Sequence, residues 1–156
     1  MKLNLGCGTD LRNGFINIDI DPMPDIDHQI DVSNLDDVCD DDAAEHILAL
    51  DVLQTFSYRD VINVAQHWAD KLKPGGTIQI SVPDVVELAG MLFNQLMKPD
   101  DFLIQMYGRH EHDHDFNKTG FDRVLVKSVL EKVGLVVTYS RITNTKIVVT
   151  AVKPNE

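Results

Sequence analysis

The segment Leu3-Asn4-Leu5-Gly6-Cys7-Gly8 constrains this chain more than any other. Lys2 to Leu5 reads as a short buried strand that runs directly into a Gly6-x-Gly8 turn. A second apolar strand, Phe15 to Asp19, ends in an acid eleven residues past Gly8. Glycines let the backbone approach a ligand, and a carboxylate at the tip of the next strand accepts hydrogen bonds from ribose hydroxyls. The pattern therefore predicts an α/β fold with a site for an adenosine-containing cofactor. Leu5, Gly6, Cys7, Gly8, Asp19 and Ile20 are its candidate binding residues. Asp21 shares the Asp19 face of an extended segment and is a rival for the ribose. Cys7, set between two glycines, reads as packing rather than as a nucleophile.

Two details argue against a dinucleotide. Its fingerprint needs a third glycine where a helix begins against the pyrophosphate, and here that position is Leu11. Its acid also comes about 20 residues on, later than Asp19 does. The short spacing leaves the first helix short or absent, so a phosphate would lack a helix N-terminus. A cofactor without phosphate fits better, and S-adenosylmethionine (SAM) carries the adenine, the free ribose hydroxyls and a cationic sulfonium.

Further along, a third strand at His28 to Ile30 leads to Asp31, and a fourth at Glu45 to Leu50 leads to Asp51. Asp31 is either a ligand-facing acid or the start of an Asx turn through Asn34. The acidic run from Asp36 to Asp42 lacks periodicity and the EF-hand glycine, and reads as an exposed loop. After a brief helical stretch at Val52 to Phe56, Ser57 is the expected N-cap of a helix reaching Leu72, with Val61, Ile62, Ala65, Trp68 and Ala69 on one face. Pro74-Gly75-Gly76 should stop it and lead into a fifth strand, Thr77 to Val82. Asp84 with Glu87 is a capping pair opening a helix to about Met97. Residues 98–122 read as an irregular lid or substrate loop containing His110, His112 and His114. A last helix, Arg123 to Val133, ends at Gly134. Two strands, Leu135 to Arg141 and Lys146 to Val152, form a hairpin around Ile142-Thr143-Asn144-Thr145.

These motifs carry a resemblance. Leu3 to Gly8, Gly14 to Pro22, Leu72-Lys73-Pro74-Gly75-Gly76 and Ser81-Val82-Pro83-Asp84 resemble, in order and spacing, the class I SAM-dependent methyltransferases. The likeness is to the small bacterial and phage group with a compressed first turn, and it spans residues 3 to about 134. It implies a Rossmann-like, mostly parallel sheet of order 3-2-1-4-5-7-6 closed by the antiparallel hairpin, in one domain over residues 1–156. It favours Asp19 over Asp21 for the ribose, and places Asp31 near the adenine amino group with Val32 beside the ring. Asp51 falls beside the methyl group, as a cofactor contact and as a catalytic candidate that orients or deprotonates the acceptor. An N-cap for residues 52–56 is its other reading. The strip Asp51-Val52-Leu53-Gln54-Thr55-Phe56 departs from the group's His-Val-Leu-Glu-His-Phe, and Asn117 stands where the group commonly has His. The Asn/Asp-Pro-Pro-aromatic motif of DNA amino-methyltransferases is missing.

The alternating His110, His112 and His114 would share a face if extended. His112 is the candidate base for a hydroxyl acceptor; metal ligation by this loop or by the acidic run is not expected. The chain carries a net charge of −11, and residues 10–51 hold twelve Asp and one Glu against one Arg. Such a field favours a cationic ligand and opposes nucleic-acid phosphates, so direct nucleic-acid binding is not expected. There is no apolar run near membrane-spanning length, and two cysteines make no disulfide framework, which together point to the cytoplasm. The expected function is methyl transfer from SAM to a small-molecule or glycan-type acceptor. The alternative is a non-catalytic SAM-binding module working through a protein partner, since strand one starts at residue 2 and only residues 98–122 could form a lid. A homodimer could supply a missing wall of the site.

Overall fold

Strands covered on both faces are rich in apolar residues, and Leu3, Leu5, Ile47, Leu48 and Ala49 are all buried. β1 (Lys2–Leu5) and β4 (Ala44–Leu50) pair in parallel, with Leu3 opposite Ile47 and Leu5 opposite Ala49. In the computed structural model, which describes residues 1–155, they sit near the centre of one seven-stranded sheet. β2 (Ile16–Asp19) and β3 (His28–Gln29) extend it in parallel on one side. On the other side β5 (Leu72–Pro83) is parallel to β4, β7 (Lys146–Val152) is antiparallel to β5, and β6 (Val136–Thr143) closes the edge. The order β3-β2-β1-β4-β5-β7-β6 is the one the sequence motifs imply.

No helix joins β1 to β2. Side-chain amides replace it. Buried Asn4 donates from Nδ2 to the Asp10 carbonyl at 2.7 Å and to Asn17 Oδ1 at 2.9 Å. The same Asn17 oxygen accepts from the Arg12 N–H at 2.8 Å. Buried polar groups need partners, and these two asparagines satisfy each other while folding residues 9–15 back against the strands. This is how so short a connection holds a parallel crossover.

Of the four α-helices among the described residues, the first and the last pack on the sheet, and the second and third pack on each other. α1 (Val61–Lys71) buries Val61, Val64, Ala65, Trp68 and Ala69, and Trp68 donates from Nε1 to the Val32 carbonyl at 2.8 Å. α1 begins later than its sequence suggests, and Ser57 is not its cap. The Ser57 hydroxyl and carbonyl instead close the preceding turn on Arg59 and Asp60, at 3.2 and 2.8 Å. α2 (Val85–Phe93) has the expected cap, Asp84, whose Oδ1 accepts from the Val86 and Glu87 N–H groups; it stops short of Met97. α3 (Pro99–Tyr107) lies in the segment read as irregular. Its signals were Pro99 at the first turn followed by Asp100 and Asp101, a favoured helix start. α4 (Arg123–Lys132) is capped by Asp122 and ends before Gly134 at φ +80°.

Two other expectations change. The Pro74-Gly75-Gly76 step does not separate α1 from β5. The Gly75 N–H donates to Lys153 O and the Lys153 N–H to Gly76 O, at 2.8 and 2.9 Å, so the strand runs through the glycines from Leu72. The hairpin turn is two residues, Asn144 (φ +55°) and Thr145, because Thr143 already pairs with Lys146.

The acidic run is exposed, yet part of it is engaged. Lys71 is buried at the end of α1, and its Nζ reaches Asp36 at 2.6 Å and Asp41 at 2.8 Å. Burial alone would push the Lys71 ammonium down; the two carboxylates outweigh it and raise it. The hydrogen bond from Lys71 holds the Asp36 carboxyl below its ordinary value. A depressed carboxyl contributes stability above its unfolded-state pKa and loses it as pH falls through the folded-state value. Urea unfolding of Lys71→Met below about pH 4 should therefore show a shallower dependence of stability on pH than the parent chain; an unchanged slope would remove this pair from the acid response.

The first turn also makes a contrast. Gly6 has φ +59° and a methyl placed on it would run into the Val52 side chain, whereas Gly8, at φ +49°, faces open space. Gly6→Ala should cost about 2–4 kcal/mol and Gly8→Ala only about 1 kcal/mol, since both carry left-handed strain but only one overpacks. Denaturant midpoints measure this, and equal costs would contradict it.

Candidate functional site

In open α/β sheets ligands bind outside the carboxyl ends of the strands. Here that edge opens into a cavity of about 730 Å³, within the usual range for small-molecule sites. Each parallel strand contributes to it. Gly6 and Gly8 follow β1, Asp19, Ile20 and Asp21 lie at the tip of β2, and Asp31 and Val32 follow β3. Asp51, Val52 and Gln54 follow β4, and Pro83 ends β5. Residues Ile104 and Gln105 of α3 and the loop from Gly108 to Lys118 form the facing wall. Leu5 and Cys7 are buried and do not line the cavity. Burial, aided by the nearby Asp19 charge, pushes the Cys7 thiol up to about 11, which leaves it protonated and unreactive near neutral pH.

Asp19 joins the turn to the strand tip. Its Oδ2 accepts from the Gly8 N–H at 2.7 Å and its Oδ1 from the Asp21 N–H at 2.9 Å. A carboxylate has about four acceptor sites, so each oxygen keeps capacity for a ligand hydroxyl. Asp21 is directed elsewhere: its carboxylate meets His114 Nδ1 at 2.8 Å and His112 Nδ1 at 3.3 Å. Asp31 makes a tight Asx turn, accepting from the Ser33 N–H at 2.8 Å, and remains exposed on the cavity wall. The turn and the ligand-facing position are thus compatible in one residue.

Asp51 does not cap the following 3-10 turn (Leu53–Thr55), whose cap position is Val52. It takes a left-handed conformation, φ +61°, and its carboxylate is paired with Lys146. Lys146 is the first residue of β7. An antiparallel strand placed beside β5 starts where the parallel strands end, and this brings its leading lysine to the cavity. Sequence reading missed Lys146, although the strand order contained the signal. It also missed Gln54, a buried cavity-wall residue whose Oε1 is the one buried side-chain oxygen or nitrogen without a partner among the described residues. A hydrogen-bond donor on a bound ligand would remove that deficit.

The three histidines do not share a face, because the loop is a compact turn. His110 stacks on Phe116, with ring centroids 4.2 Å apart, and its Nε2 meets the Tyr107 carbonyl at 2.8 Å. Asn117 donates from Nδ2 to the Gln105 carbonyl and steadies the junction with α3. His112 lies on the cavity wall with Asp21 as its partner.

No family model matches the chain, and no curated protein matches it. Solved structures do. A SAM-dependent methyltransferase from Methanosarcina mazei superposes with a TM-score of 0.71 at 15% identity, covering 99% of this chain and 92% of that one. A 1,6-didemethyltoxoflavin-N1-methyltransferase from Burkholderia thailandensis, solved with 1,6-didemethyltoxoflavin and S-adenosylhomocysteine, gives 0.68 at 15%, covering 99% and 71%. A SAM-dependent methyltransferase from Archaeoglobus fulgidus gives 0.66 at 12%, covering 97% and 85%. At these identities the likeness is one of architecture, and with the strand order, the absent first helix and the glycine turn it gives a single conclusion: the chain has the class I SAM-dependent methyltransferase fold.

Proposed function

We propose that the protein binds SAM and transfers its methyl group to a small-molecule or glycan-type acceptor. The observation that carries this reading is the Asp19 carboxylate, fixed by the Gly8 and Asp21 amides at the mouth of the cavity and still able to accept from two ribose hydroxyls. The cradle suits the donor: Gly8 leaves open space beside it, Asp31 offers an acceptor for an amino group, and Val32 offers an apolar flank. When bound, SAM supplies an activated methyl group and a good leaving group. The protein then has mainly to align the two partners, a contribution of about 7–11 kcal/mol when geometry is good.

Asp51 is the residue placed to orient an acceptor hydroxyl or amine and to take its proton, with Lys146 fixing the direction of the carboxylate. Gln54 offers a second acceptor oxygen on the same wall. His112 offers an imidazole across the cavity. The acidic half of the chain supports a cationic ligand over a phosphate-rich one. Both thiols, Cys7 and Cys39, are free and buried, which supports a reducing, cytoplasmic setting. Among the described residues no helix is long and apolar enough to cross a membrane.

Titration calorimetry with SAM and with S-adenosylhomocysteine tests the reading. Micromolar binding to the parent chain is expected. Asp31→Ala should weaken it about tenfold with the fold intact, because that side chain is exposed. Asp19→Ala should abolish binding and also cost about 1–3 kcal/mol of stability, since it frees two turn amides. Affinity unchanged in both variants would overturn the site. Asp51→Asn, at a residue also read as a cofactor contact, should slow turnover of any accepted substrate about a hundredfold at saturating SAM; equal turnover would remove Asp51 from the chemistry.

A further inference from the structure

The histidine loop holds a constellation of which the methyl-transfer reading uses only His112. His112 and His114 come from one tight turn, and Asp21 comes from the tip of β2, 93 residues from His114. One ring nitrogen from each histidine and one carboxylate oxygen lie within 4.8 Å of one another. Both histidines present Nδ1, each to a different oxygen of the same carboxylate. Ligand atoms around a tetrahedral zinc at about 2.0–2.1 Å stand about 3.3–3.4 Å apart. Of the observed separations, 3.3 Å matches that spacing and 2.8 Å is shorter, so a modest side-chain rotation that lengthens the second would admit an ion.

The loop is shaped before any ion arrives. Stacking of His110 on Phe116 and the bonds from the His110 N–H to Asp115 O and from the Asp115 N–H to His112 O fold it. Gly108, at φ +89°, packs so closely on the Asp115 carbonyl that a side chain there would not fit. On the other side, Asp21 is held by its own N–H to Asp19. His110 is left out of the cluster by its bond to the Tyr107 carbonyl.

We propose that Asp21, His112 and His114 form a binding site for a divalent transition-metal ion of the Zn2+, Co2+ or Ni2+ class. Two imidazoles select these ions over Ca2+ and Mg2+, which take oxygen ligands. Three protein ligands leave a coordination position for water or an acceptor oxygen, and all three residues line the cavity. The ion would tie the 108–118 loop to the tip of β2. That the open position serves the acceptor rests on the methyltransferase reading; the binding of the ion does not.

Equilibrium dialysis with Zn2+ and visible absorption with Co2+ alone, without SAM, test the site. The parent chain should bind one ion with a Co2+ spectrum indicating nitrogen and oxygen ligands. His112→Ala and His114→Ala should each weaken binding about tenfold or more, and Asp21→Asn should do likewise. His28→Ala, which removes an exposed histidine outside the cavity, should bind as the parent does. These ligand side chains are all at least partly exposed, so circular dichroism should show the fold retained. No stoichiometric binding, or affinity undiminished in both His112→Ala and His114→Ala, would overturn the site. SAM calorimetry in the presence of a chelator separates the two readings. SAM binding without metal binding removes the ion alone, and metal binding without SAM binding removes the methyltransferase reading alone.

Discussion

The Asp19 carboxylate binds two backbone amides, one from the turn after β1 and one from the segment after β2. Much of the site depends on that bridge. Gly6 and Gly8 adopt left-handed conformations that a free chain holds weakly, and the charge-assisted bond to Gly8 selects them. The same side chain aims Asp21 away from itself, toward the opposite wall. A ligand hydroxyl arriving at Asp19 therefore meets a carboxylate already oriented, and little ordering remains to be done on binding.

Polar side chains hold several connections in this chain where no regular structure does. The β1–β2 connection is held by Asn4 and Asn17 instead of a helix. Lys71 draws Asp36 and Asp41 of the acidic loop onto the end of α1. The Lys153 ammonium reaches Asp42 at 2.7 Å and the Ala69 carbonyl at 3.1 Å, joining the end of β7 to the same region. These contacts hold part of the acidic run at the amino-terminal ends of β4 and β5, away from the cavity. The acids that face the cavity, among them Asp19, Asp21, Asp31 and Asp51, are brought there by the strand tips instead.

The facing wall is assembled from distant sequence. α3 and the histidine turn sit opposite the strand tips, and Thr119 Oγ1 donates to the Phe56 carbonyl at 2.7 Å, anchoring the end of the loop to the segment after β4. The Lys118 and Thr119 N–H groups both donate to the Gln54 carbonyl. Gln54 thus supports the loop with its backbone while presenting its amide to the cavity. A substitution at Gln54 would act on both the loop and the ligand.

Local pattern decided a good deal by itself. The strand–glycine–strand–acid spacing specified the parallel start of the sheet, the missing first helix and the position of Asp19, because short-range sterics and alternation act within a few residues. Asp84 was legible as a helix start for the same reason, whereas the Asp122 cap was not read from the sequence. What required the tertiary structure lies at long separation: Lys146 beside Asp51, Asp21 beside His112 and His114, and Lys71 beside Asp36. The passage of β5 through Gly75 and Gly76 also turned on non-local pairing, with Lys153. Side chains from different elements meet only once strand order and loop path are set. A sequence records each partner's chemistry, while packing decides which partners meet.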